Sequence, residues 1–150
     1  MSILDKLSKR WIGINHPFLI HANGSLRFDE VASQQHIDLS EINSGDVVAL
    51  IGDFNPQSIL TLLQLIDKKV ILVPLTVDTK SQHEYFFESA LVDVVIENDK
   101  IKRINHSQKH KLIDSLRSKD HAGLVLFSTG TTGRPKGILH DLTLFMQRFE

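Results

Sequence analysis

The chain has 150 residues and carries 17 Lys and Arg against 18 Asp and Glu, so its formal net charge is -1. That balance argues against a general nucleic-acid binder, which needs a basic excess, and against an acidic disordered tail. With 41% hydrophobic and 23% charged residues the composition is that of an ordinary globular domain long enough to build one core. The absence of cysteine excludes a disulfide framework, a thiolate zinc site and cysteine catalysis. The longest apolar runs, such as Val70–Pro74, are far too short to cross a bilayer, and Met1–Arg10 has no signal-peptide core. The expectation is a cytoplasmic protein with no membrane span and no nucleic-acid partner.

Ser2 and Asp5 have the spacing of a helix capping box, and Leu4, Leu7 and Trp11 follow at helical intervals, so a short amphipathic helix is expected there. Pro17–His21 reads as a strand, and Asn23-Gly24 is a hairpin signal. Phe28–Gln35 reads as a short helix. After the turn residues Asn43–Asp46, Val47–Ile51 is a continuous apolar run of strand length, as in a strand buried on both faces of a parallel sheet. Pro56 suits the first turn of a helix whose apolar face would be Ile59, Leu62, Leu63 and Ile66, with Asp53 as its cap. Asp67–Lys69 ends that helix, and Val70–Val73 is the next strand.

The alternation continues. Lys80–Ala90 is expected to be helical, with Tyr85 and Phe86 or Phe87 packed on the sheet as core rather than as a substrate pocket. Val92–Ile96 is a strand, Asn98-Asp99 a turn, Ile101–Ile104 an antiparallel return, Lys111–Ser118 a helix and Leu124–Phe127 a further strand. Leu142, Phe145, Met146 and Phe149 mark one face of a last helix, with His140 near its start. Either the sheet covers that face or a partner beyond Glu150 does. The predicted architecture is α/β, with βαβ units around a largely parallel sheet.

The chemistry concentrates in one loop. Ser128–Gly137 holds three of the eight glycines, four Ser or Thr hydroxyls and Lys136. Glycines let successive backbone N–H groups converge, hydroxyls add donors, and the lysine adds a charge. Directly after a buried strand, the loop lies at the strand's carboxyl end, where open α/β sheets bind ligands. It reads as a polyphosphate cradle, or simply as a connection. It is not a Walker loop: Pro135 stands where the second glycine belongs, and Gly137 where a Ser or Thr should hold Mg²⁺. The G-x-G-x-x-G spacing is also missing.

Other candidates are weaker. Eight histidines invite a metal reading, and His106 and His110 are four apart, but no third ligand has supporting spacing and a solvated loop is the expected setting. Lys100–Lys119 contains seven Lys or Arg and one acid, Asp114, with no interleaved aromatic residue, as expected of a solvated face.

The segment Val125–Gly137 resembles the phosphate loop of the adenylate-forming enzymes, which include acyl-CoA synthetases, aryl-acid ligases and adenylation domains. Their motif is an apolar strand followed by [S/T]-[S/T/G]-G-[S/T]-T-G-x-P-K-G, and this chain fits it at every position. Gly45–Ile51, Asn55-Pro56, the Leu-rich helix and Val73–Leu75 resemble the family's "GDxVAL…N-x-P…VVPL" stretch in order and spacing. His21–Val31 resembles a further hairpin and helix of the family, with Phe28 where Tyr is usual. The resemblance covers about residues 17–150 and is weakest near 97–120.

The resemblance implies a large-domain N-terminal portion of an AMP-binding ligase over 1–150. In the family a carboxylate attacks the α-phosphate of ATP, pyrophosphate leaves, and the acyl group passes to a thiol such as coenzyme A. By the motif match Ser128, Thr129, Gly130, Thr131, Thr132, Gly133 and Lys136 would bind the ATP phosphates. Implied partners are ATP, Mg²⁺, a carboxylic acid and the missing C-terminal part. The family's Y-G-x-T-E segment, ribose-binding Asp and catalytic Lys have no counterpart here, so no catalytic residue is assigned and the chain alone is expected to be inactive. The alternative is a non-catalytic nucleotide- or partner-binding module, one half of a split enzyme, or a domain with a vestigial loop.

Overall fold

The computed structural model describes residues 1–104, 106–129 and 133–149. Helix α1 (Ile3–Arg10) starts at the expected capping box, in which Ser2 Oγ accepts from Asp5 N–H and Asp5 accepts from Ser2 N–H. The hairpin of β1 (Leu19–His21) and β2 (Gly24–Leu26) turns at Ala22-Asn23, and the left-handed residue is Gly24, with φ 132°. Helix α2 (Phe28–Ala32) ends three residues before Gln35, with Ser33 as its C-cap.

The main sheet begins with β3 (Val47–Ile51), buried at all five positions. Helix α3 (Pro56–Asp67) leads to β4 (Ile71–Leu75). A 3₁₀ segment, Val77–Gln82, precedes α4 (His83–Ala90), so the helix expected from Lys80 starts three residues later. Strands β5 (Val94–Glu97) and β6 (Lys100–Arg103) form a hairpin about Asn98 and Asp99, both with positive φ. Helix α5 (Lys111–Ser118), β7 (Gly123–Phe127), β8 (Gly137–Asp141) and α6 (Leu142–Gln147) complete the chain.

The strand order is β6-β5-β3-β4-β7-β8. The four central strands are parallel and both edge strands are antiparallel, so the expected mostly parallel α/β sheet is present. Alternation along β3 divides the core between the two faces. Val48 and Leu50 pack with Leu65 of α3 and with Leu39 and Ile42, while Val47, Ala49 and Ile51 pack with Phe86 of α4 and Ile113 and Leu116 of α5. The buried positions of α3 are Leu60, Thr61, Leu63 and Leu65, whereas Ile59, Leu62 and Ile66 are only half-buried. The helix is therefore rotated from the expected face, because Ile37 and Leu39 cover its flank as well as the sheet. Its N-cap is Asn55, whose Oδ1 accepts from Ser58 N–H at 2.8 Å. Asp53 lies too far upstream to reach that amide and is exposed.

Pro74 stands within β4, where a missing N–H would ordinarily break a ladder. Here it is tolerated because β7 pairs with β4 only at Ile71–Gly123 and Leu72–Leu124. Beyond that point β7 pairs only with β8, and its carboxyl end leads to the loop.

His140 does not start a helix. It lies in β8 opposite Leu124, and the N-cap of α6 is Asp141, which accepts from Leu144 N–H at 3.0 Å. Along α6 only Leu142 is buried, and Phe145 and Phe149 remain 55% and 65% exposed. No helix among the described residues is long and apolar enough to cross a membrane.

Asp141 also lies 2.8 Å from His121 Nδ1. Burial raises its pKa, but the hydrogen bonds from His121 and Leu144 and the charges of His121 and Lys119 outweigh that, holding the carboxyl below its ordinary value. A depressed folded-state pKa contributes stability that is complete above the unfolded pKa, near 4, and lost as pH falls through the folded value. Asp141→Asn is therefore expected to melt below the wild type at pH 6. The gap should narrow as pH falls through the folded value, and a gap that persists undiminished in acid would refute the assignment.

Candidate functional site

Ser128–Lys136 forms the tip of the β7–β8 hairpin, just past the Phe127–Gly137 pair. Its neck is closed twice: Ser128 N–H donates to Lys136 O at 2.9 Å, and Lys136 N–H donates to Ser128 Oγ at 3.2 Å. A phosphate cradle is expected to keep its amides free for the ligand, but these two N–H groups are already paired. A hairpin explains the difference, since its first and last tip residues continue the ladder. Gly130, Thr131 and Thr132 lie outside the described residues. Ser128, Thr129 and the 133–136 segment have no regular helix or strand, as expected.

Around the neck each residue has a definite setting. Thr129 is exposed and Ser128 half-buried. Gly133 has φ 94°, a left-handed conformation that residues with side chains rarely adopt, and an added Cβ would meet no neighbour, so the backbone alone requires glycine. Lys136 is exposed, and its ammonium has no partner among the described residues. At Gly137 a Cβ would come within 3.2 Å of Phe127 Cε1 and 3.3 Å of Val125 Cγ1, so glycine permits close contact across the two strands.

Helix α4 supports the returning arm. Tyr85 Oη donates to Pro135 O at 2.8 Å, and the Arg134 guanidinium lies 5.0 Å from the Tyr85 ring centroid. Phe86 stacks on Phe127 with 4.2 Å between centroids. The expectation of core aromatics holds for Phe86, which is buried, and for Tyr85 and Phe87, which are half-buried and pack against the same core; Tyr85 also touches the loop. A tyrosine beside two phenylalanines carried no signal of this, because its partner is 50 residues away. A groove of about 570 Å³ beside this contact is lined by Tyr85, Phe87, Leu91, Ile104, His106 and Arg134.

The two candidate metal histidines have separate structural roles. His106 Nε2 lies 2.8 Å from Asp93 Oδ1, and His110 caps α5 by accepting from Leu112 N–H. His106 is therefore paired rather than loose in a solvated loop. Among the described residues no group of three or more His, Asp or Glu side chains is arranged to hold a metal. The basic segment is partly neutralised by ion pairs of Arg103 with Asp46 and of Arg117 with Asp93 and Asp114.

No protein-family model matches the chain, and no curated protein matches it in sequence. Solved structures do match it in fold. VinN superposes with a TM-score of 0.60 at 16% identity, over 95% of this chain and 46% of that one. The complex of VinN with L-aspartate gives 0.61 at 16% identity, over 95% and 48%. The N-terminal subdomain of Klebsiella oxytoca NpsA, in complex with 3-hydroxybenzoyl-AMSN, gives 0.58 at 20% identity, over 91% and 39%. At these identities the likeness shows a shared fold, and the chain spans less than half the length of each of these structures.

Proposed function

We propose that this chain is the N-terminal portion of an adenylate-forming carboxylic acid ligase, and that its β7–β8 loop binds the β- and γ-phosphates of ATP. The observation that carries the reading is the complete motif in the connection that follows a strand's carboxyl end, where Thr129 and Lys136 are exposed, Lys136 has no side-chain partner among the described residues, and Gly133 is left-handed. Support comes also from the fold shared with the N-terminal subdomain of NpsA in complex with 3-hydroxybenzoyl-AMSN and with VinN in complex with L-aspartate.

The residues in hand fit an anion. Lys136 supplies a charge, Thr129 an exposed hydroxyl and Gly133 an unobstructed backbone, while Ser128 holds the neck. ATP would supply the activating phosphoanhydride. In the proposal Mg²⁺, the carboxylic acid, and coenzyme A as acyl acceptor are held by the remainder of a longer protein. Acyl-CoA formation and a cytoplasmic setting belong to the same proposal.

The test is calorimetric titration of the chain with Mg-ATP and with pyrophosphate, alongside a pyrophosphate-release assay on fatty and aryl acids. One charge-assisted contact corresponds to roughly a tenfold change in affinity. Weak binding is therefore expected, with at least about tenfold loss in Lys136→Ala and no turnover by the chain alone. Equal binding by wild type and Lys136→Ala would remove the phosphate assignment. Turnover would show that the chain is itself a complete enzyme.

A further inference from the structure

We propose that Tyr85 is a positioning residue of the loop, holding the Pro135–Lys136 peptide so that Lys136 faces the phosphates; this rests on the phosphate reading above. Two contacts meet on that single peptide unit. Its carbonyl, on Pro135, accepts from Tyr85 Oη at 2.8 Å. Its N–H, on Lys136, donates to Ser128 Oγ at 3.2 Å.

A peptide unit is planar, so holding its oxygen and its hydrogen from opposite sides leaves the plane only rotation about the line between the two contacts. Lys136 Cα is part of that plane, so holding the plane holds the point from which the lysine side chain departs. The residue before it is proline, whose φ is confined near −65° by its ring, so the arm has little freedom to turn away from the helix. The Arg134 guanidinium above the Tyr85 ring, 5.0 Å from its centroid, adds a cation–π contact one residue further back.

Tyr85 is itself well anchored. It packs against the core cluster of α4 and the sheet, and the adjacent Phe86 is buried and stacked on Phe127, directly before Ser128. Helix α4 thus grips both arms of the loop: the outgoing arm through Phe127 and the returning arm through Pro135. Lys136, by contrast, is exposed and has no described side-chain partner that would aim it. Its direction is left to the backbone, and the backbone is held by Tyr85 and Ser128.

The experiment compares wild type, Tyr85→Phe, which removes only the hydroxyl, and Lys136→Ala. It measures amide hydrogen exchange without ligand and pyrophosphate affinity by calorimetry. Loss of one neutral hydrogen bond corresponds to a change of about fivefold. Tyr85→Phe is expected to speed exchange of the Ser128 and Lys136 amides by about that factor. The amides of the central strands should be unchanged, and pyrophosphate binding should weaken by about threefold to fivefold. Exchange that rises equally across the sheet would mean a merely structural role and overturn the proposal. So would unchanged Ser128 and Lys136 amides, or selective exchange with unchanged affinity. If wild type binds no pyrophosphate but the selective exchange appears, the phosphate reading fails and Tyr85 stands as the anchor of this loop.

Discussion

Phe86→Ala is expected to destabilise the fold by about 3–5 kcal/mol, the range for truncating a buried aromatic residue in a packed core. Phe86 is 4% exposed and lies in the core on the α4 and α5 face of the sheet, with Val47, Ile71, Val92 and Val125. Its ring is 4.2 Å from that of Phe127 and 6.0 Å from that of Tyr85, centroid to centroid. Deleting it removes apolar burial and leaves a cavity that α4 cannot close without moving Tyr85 away from Pro135. Urea unfolding should show a lower midpoint with an unchanged slope. Phe86→Leu, which keeps most of the volume, should lose less than about 1.5–2 kcal/mol. A loss below about 1 kcal/mol for the alanine variant would contradict the packing account.

Asp93→Ala should cost about 2–4 kcal/mol, from the sum of a screened charged contact and an orphaned buried amide. One carboxylate joins three elements: Oδ2 accepts from Val47 N–H at 2.8 Å and from Arg117 Nη2 at 3.0 Å, and Oδ1 lies 2.8 Å from His106 Nε2. Val47 is fully buried, so its N–H relies on this carboxylate as its acceptor. Arg117 also donates to Gly45 O, so the network ties α5 to the start of β3. The side chain of Asp93 is 18% exposed, which limits the Coulombic share through solvent screening. Asp93→Asn keeps one oxygen for Val47 and should lose about half as much. A double-mutant cycle with Arg117→Ala should be non-additive by about 0.5–2 kcal/mol, and full additivity would mean that the contact contributes nothing.

Much of this molecule follows from local chemistry. Ser2 with Asp5 caps α1, Pro56 opens α3, and the unbroken apolar run Val47–Ile51 is a strand because only burial on both faces suits it. Lys111–Ser118 is helical over the expected span, and Asn98-Asp99 turns because those two residues tolerate positive φ. Ser128, Thr129 and the 133–136 segment lie outside regular elements, as a glycine- and hydroxyl-rich stretch after a strand predicts. Each of these signals needs only neighbours within a few residues, and there the amino-acid sequence by itself determined the element.

Tertiary contacts decided the rest. Gly137–Asp141 has weak strand character, and it becomes β8 because the free edge of β7 offers a full ladder of hydrogen-bond partners. The face that α3 buries depends on Ile37 and Leu39, which fold over it from outside the βαβ unit. Strand order places β5 beside β3, on the side away from β4, which no periodicity encodes. Tyr85 meets Pro135 across 50 residues and Asp93 meets Val47 across 46, so their roles appear only once the sheet brings them together. A hydroxyl or a carboxylate specifies that it needs a partner, and the packed fold alone specifies which one.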